Sequence, residues 1–192
     1  MFLLPKSFGP ITLQRKLGTS GVAESYAGEI EDPEKGKRQV VVRRILPYIL
    51  KDRARLPSVE ARVRDLLGVR HPYLVQVVGW ESTGDERFIV EQRIDGVDLE
   101  RVVHWCRQNK RSLPHNIFLH IATQICTGVE ALHGRPGKGT GAQNILHLGL
   151  SPGHIFVTRE GKVVVGGYAL TRSPTSLPHG GVSGPVPARM EY

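Results

Sequence analysis

Few side chains in this sequence are placed to do chemistry, and each admits a plain reading. Gly18-Thr19-Ser20-Gly21 is a turn between two strand-patterned stretches. Its backbone N–H groups could cradle a phosphate, and the same residues suit an ordinary β-turn; both readings stand. His115, His120 and His133 lie along or beside one helix-patterned segment, without the H-E-x-x-H convergence that a metal needs. No metal site is expected there. Cys106 and Cys126 form no C-x-x-C pair, and two thiols make no disulfide framework, so both read as buried or inert. Ser173, Thr175, Ser176 and Ser183 lie in a polar tail. They are either linker residues or phosphate acceptors, each phosphate adding about −2 charge.

The elements that must position these groups fit within 192 residues, enough for one domain or slightly more. The composition, 40% hydrophobic and 23% charged, excludes disorder throughout. No apolar run approaches the roughly 18 residues of a membrane span, and proline interrupts Met1–Lys6 too early for a signal peptide. The sequence therefore reads as a soluble, cytoplasmic protein with no membrane partner. The formal charge is +8. Cations cluster at Arg43, Arg44, Lys51, Arg53, Arg55, Arg62, Arg64 and Arg70, but carboxylates are interleaved and aromatics are scarce. A solvated basic face or a dock for an acidic partner fits better than nucleic acid, which stacks on aromatic groups.

Strands are expected at 11–17, 23–30 and 39–46, with a polar hairpin tip at Asp32–Lys37. Val40-Val41-Val42 marks a strand buried on both faces. A helix follows from Pro57 to about Val69, then strands at Tyr73–Trp80 and Arg87–Arg93 joined through Ser82–Glu86. Helices are expected at Asp98–Asn109 and Pro114–His133. The second is apolar nearly all round, which reads as a buried helix. A glycine-rich loop, Gly134–Gly141, precedes short strands at 145–148, 155–158 and 162–165. Residues 173–192, with four prolines and three glycines, should be mobile.

This order, with five collinear motifs, resembles a bacterial Hanks-type serine/threonine protein kinase over residues 8–172. Leu17–Tyr26 resembles the glycine-rich loop, Val40-Val41-Val42-Arg43 sits at V-A-I-K, and His71–Val75 at H-P-N-I-V. His147–His154 sits at H-R-D-L-x-x-x-N, and Gly167-Tyr168-Ala169 at D-F-G. The resemblance implies an α+β, kinase-like fold: an antiparallel β N-lobe with one helix over 1–97, a partial helical C-lobe over 98–172 ending at the activation segment, and a tail over 173–192.

Phosphoryl transfer needs a lysine on the phosphates, a carboxylate near the acceptor hydroxyl and oxygen ligands for Mg²⁺. At the matching positions stand Arg43, Gly149, His154 and Gly167. Arginine keeps the charge as a broad fork, glycine accepts no proton, and His with Gly supplies no hard oxygen ligand. His147 and Tyr168 are then structural. The helix glutamate that would pair with the strand cation is replaced by Arg62 on the usual spacing, or is Glu60 if the helix or its following loop is two residues longer. Ser25 stands where a valine packs on the base, and Glu91 falls near the gatekeeper. Glu91 either pairs with Arg43, closing the nucleotide pocket, or faces solvent after a one-residue register shift.

The expected function is a truncated pseudokinase that acts by protein binding in signalling, without cofactor or Mg²⁺ site. The alternative keeps ATP on Gly18, Gly21 and Arg43 with weak or atypical transfer. Because the sequence stops where A-P-E would begin, the second apolar face of helix 114–133 has no covering element. It should bind a protein partner or a second copy.

Overall fold

The structure is a computed structural model that describes residues 3–32, 34, 36–135 and 144–170. The expected loop 134–141 lies largely outside the described residues, and the tail 173–192 entirely so. The chain divides into two compact units. Among the described residues, the first holds those up to Leu67 together with Gln76–Arg93; the second holds Gly68–Val75, 94–135 and 144–170.

The first unit is built on a six-stranded sheet. Its strands are β1 (Lys6–Phe8), β2 (Ile11–Thr19), β3 (Ala23–Asp32), β4 (Gly36–Ile45), β5 (Val77–Thr83) and β6 (Glu86–Gln92), in the order β1-β2-β3-β4-β6-β5. All pairings are antiparallel. Strand β4 is central, and Val40 through Arg43 are all buried, as the valine run predicts. Side chains alternate between faces. Tyr26, Val40, Val42, Phe88 and Val90 meet Phe8, Ile11 and Leu13 in one core on one face. Phe8 and Phe88 pack with ring centroids 4.9 Å apart.

Two short helices complete this unit, α1 (Pro47–Leu50) and α2 (Arg55–Leu66). Helix α2 begins two residues earlier than Pro57. The Asp52 carboxylate accepts from Ala54 N at 2.9 Å and Arg55 N at 3.0 Å, satisfying donors that a helix start leaves open. Neither β1 nor α1 is apparent in the sequence, since three or four residues carry no measurable period.

In the second unit β7 (Gly96–Asp98), β8 (Ile155–Thr158) and β9 (Val163–Val165) form a sheet in that order. Helix α3 (Leu99–Gln108) starts on Asp98, whose carboxylate accepts from Arg101 N at 2.8 Å. Helix α4 (His115–His133) packs Ile121 and Ile125 with Leu99, Ile155, Val157 and Val163. Three expectations fail here. Tyr73–Val75 is not the start of β5: Val75 N donates to Val165 O and Val165 N to Tyr73 O, so the segment lines β9 instead. Gly128 of α4 permits that placement, because a Cβ there would lie 2.9 Å from Tyr73 O. Residues 145–148 form no strand. Helix α4 is not buried all round, for Ile117, Phe118 and Leu119 are 42%, 55% and 49% exposed and Cys126 is exposed too. Apolar composition places side chains on every face, but only the face toward β8 and β9 is covered among the described residues. No helix among them is long and apolar enough to cross a membrane.

Candidate functional site

The site residues read from sequence fall into two groups, one in each unit. In the first unit, Ser25 lies directly across from Arg43, while Arg43 opposes Ile89 and Val41 opposes Glu91. Arg43 and Glu91 are thus diagonal neighbours on one face, within reach of long side chains. Arg43 Nε donates to Glu91 Oε2 at 2.8 Å, and Nη1 to Ser25 Oγ at 3.3 Å. The two charged side chains are only 9% and 5% exposed. The pairing reading of Glu91 is the one the geometry realises, and the solvent-facing register is not.

Arg44, one residue on, points to the opposite face. It donates to Glu86 at 2.8 and 2.5 Å and to Glu24 at 3.1 Å, and Lys16 reaches Glu24 at 2.6 Å. Partial burial pushes the Glu24 carboxyl up, but hydrogen bonds from Lys16, Tyr26 and Arg44 outweigh it and hold the group below its ordinary value. Burial first, and then Glu24, raise the Tyr26 phenol. On α2, Arg62 and Glu60 are both partly buried. Burial depresses the Arg62 guanidinium, and Asp65 opposes the shift. The carboxylate hydrogen-bonded to Arg43 comes from β6, at Glu91.

The turn between β2 and β3 contains a residue that the sequence reading passed over. Ser20 Oγ accepts from Ala23 N at 3.1 Å and Val22 N at 3.3 Å, and it donates to Ala23 O at 3.1 Å. Those amides are the donors that a phosphate cradle would present. The Tyr48 hydroxyl donates to Gly21 O, and Leu46 N donates to Val22 O at 2.9 Å, tying the tip to the β4–α1 junction. A signal was present. In the pattern G-x-G-x-x-G-x-V, only Gly18 keeps its glycine, with Ser20 and Ala23 at the second and third glycines and Ser25 at the valine.

In the second unit His147 is 2% exposed. Its Nε2 lies 2.8 Å from Gly166 O, and its Nδ1 accepts from Gly149 N at 3.3 Å. A carbonyl on one side and an N–H on the other fix the neutral tautomer with the proton on Nε2. The ring stands edge-on to Tyr168 at 5.8 Å, and the Tyr168 hydroxyl donates to Val75 O. Both residues hold backbone in place.

Gly149, His154 and Gly167 come together. Gly149 O accepts from His154 Nδ1 at 2.7 Å, with Ser151 Oγ 3.3 Å from the same nitrogen. Gly166 N donates to His154 O at 2.8 Å, which lays the next residue against the ring. Gly167 has φ +78°, and a Cβ there would stand 2.6 Å from His154 Cδ2 and 2.7 Å from Nδ1. The imidazole fills the place where any side chain at 167 would begin. Leu148, which precedes Gly149 in the chain, has φ 56°, in the left-handed region that favours glycine. No group of three or more His, Cys, Asp or Glu side chains among the described residues could hold a metal ion.

A family model described as protein tyrosine and serine/threonine kinase matches residues 11–182. The chain is similar to the tyrosine-protein kinase MasK of Myxococcus xanthus, 21% identical over 91% of this chain and 27% of that protein. It is similar also to the serine/threonine-protein kinase ULK3 of Rattus norvegicus, 26% identical over 81% of this chain and 29% of that one. It therefore spans little more than a quarter of the length of these relatives. The crystal structure of the Mycobacterium tuberculosis PknI kinase domain superposes with TM-score 0.69 at 18% identity, covering 91% of this chain and 65% of that one.

Proposed function

This chain belongs to the protein tyrosine and serine/threonine kinase family, and we propose that it is a noncatalytic member that acts by binding another protein in signalling. The observation that carries the proposal is the His154 ring packed against Gly167 beside Gly149. The family's reaction needs a carboxylate near the acceptor hydroxyl and hard oxygen ligands for Mg²⁺. Glycine, histidine and glycine occupy those positions, and the ring takes up the volume in which a ligand side chain would start. These residues do not fit Mg²⁺. Two further observations support the same reading. The Arg43 guanidinium is hydrogen-bonded to Glu91, and the turn amides that would meet a phosphate are capped by Ser20. The exposed apolar residues of α4 offer a contact surface for a partner.

The test is melting of the purified protein with and without ATP and Mg²⁺, since a ligand that binds the native state raises its Tm. No Mg²⁺-dependent rise is expected. A clear rise, together with labelling of a protein substrate from radioactive ATP, would establish the competing reading of a nucleotide-binding kinase with weak transfer.

A further inference from the structure

Residues 101–129 contain no Asp or Glu, yet they include Arg101, Arg107, Lys110 and Arg111. They form the greater part of α3, its connection to α4 and the first three-quarters of α4. From Arg107 to His120 every residue is exposed except Leu113, which is partly buried. Among the described residues Arg107, Lys110 and Arg111 make no ion pair. The same stretch is apolar as well as basic: Trp105 is 53% exposed, and Ile117, Phe118 and Leu119 follow within fifteen residues.

The end of α3 adds a second observation. Arg111 N donates to Cys106 O at 2.8 Å and Lys110 N to Arg107 O at 3.2 Å. This is the 6→1 and 5→2 bonding of a Schellman ending, whose left-handed residue is normally glycine. Here it is Lys110, at φ 51°. Cations near a helix C-terminus also favour the helix dipole, which accounts for Arg107. The dipole gives no reason to set a lysine in the left-handed position that glycine fills without strain.

We propose that the α3–α4 connection is a docking surface for a partner-protein segment in which acidic and large apolar residues alternate. This rests on the binding role proposed above and names the partner's chemistry. Carboxylates of the segment meet Arg107, Lys110 and Arg111; its apolar side chains cover Trp105 and Phe118. Lys110 carries backbone strain in exchange for a charge at the centre of the contact.

The probe is a fluorescein-labelled 16-residue peptide of Glu, Asp, Leu and Phe, titrated with the whole chain and followed by anisotropy. Saturable binding is expected, weakened by salt. R107E/K110E/R111E should weaken it about tenfold, since three exposed ion pairs are reversed, and F118S should weaken it comparably. K110G should raise the Tm while weakening binding, a combination that a purely structural lysine does not give. Equal binding of a lysine-for-acid peptide would overturn the proposal, as would equal binding of an acidic peptide without apolar residues, or of an oligonucleotide. A dimer by light scattering that F118S dissociates, without peptide binding, would assign the surface to a second copy instead. Absence of peptide binding without any response to nucleotide defeats the partner chemistry alone. Mg²⁺-dependent phosphoryl transfer defeats the noncatalytic reading.

Discussion

The two groups of site residues are closed by different physics. In the β-sheet unit a cation and a carboxylate are buried together, Arg43 against Glu91, and charge holds them. In the helical unit the ring of His154 lies on Gly167, and volume holds it. A buried charge pair is costly to halve but tolerates joint replacement. A ring over a glycine is asymmetric: the ring can shrink freely, whereas the glycine cannot grow. Replacement of these residues therefore meets an electrostatic barrier in one unit and a steric one in the other.

The largest effect should come from splitting the charge pair. Glu91→Ala leaves the buried Arg43 guanidinium without the carboxylate on its Nε, and should cost about 3–5 kcal/mol in urea denaturation. That is a large share of a typical domain's stability of about 5–15 kcal/mol. Arg43→Met with Glu91→Leu should recover most of the loss. If the single variant melts like the wild type, the pair does not hold the sheet and the first half of the contrast fails.

Next comes the glycine. Gly167→Asp must displace the His154 ring and adopt a left-handed backbone, and should lose about 2–4 kcal/mol. His154→Ala alone should cost less. The double variant should recover the steric part but not the backbone part. Equal losses in Gly167→Asp with and without His154→Ala would show that the ring is not the obstacle.

The sequence made one of these two arrangements visible and hid the other. Arg43 and Glu91 could be matched because strands alternate, but a one-residue slip exchanges the faces. Two readings remained until the register of β4 against β6 was known. The contact of His154 with Gly167 spans thirteen positions and has no period. It depends on the 3₁₀ turn at Pro152–His154 and on the bond from Gly166 N to His154 O. The valine run of β4 and the Asp98 cap of α3 were legible because both signals are local. The strand expected at 145–148 failed because apolar spacing there does not report that His147 N is taken by His133 Nε2 and its ring by Gly149 and Gly166. Helix α4 carried two readings: its apolar composition suggested burial all round, which fails, while its second apolar face, expected to lack a cover, is exposed at Phe118, Leu119 and Cys126.

A smaller effect probes the turn that flanks the charge pair. Ser20→Ala removes the acceptor of Val22 N and Ala23 N. The cost should be about 1 kcal/mol, with faster hydrogen exchange at those two amides. Gain of affinity for inorganic triphosphate in that variant would show that the hydroxyl had been standing in for phosphate oxygen. Unchanged exchange would show the turn to be held from Tyr48 and Leu46 alone.

The smallest effect lies on the opposite face of the same strand, where Arg44 offers a control for Arg43. Its partners Glu24 and Glu86 are partly solvated, so each pair contributes about 0–1 kcal/mol. Glu24 is held below its ordinary value of 4.5 in the fold. Its ionised form therefore contributes stability that is complete above pH 4.5 and is lost as pH falls through the lower folded value. The difference in Tm between wild type and Glu24→Gln should be positive at pH 6 and shrink toward pH 3. Added salt should narrow it at pH 6, because solvated pairs are screened, while leaving the penalty of Glu91→Ala nearly unchanged. If salt erased both differences alike, Arg43 and Arg44 would sit in equivalent surroundings, and burial would not be what sets the two arginines apart.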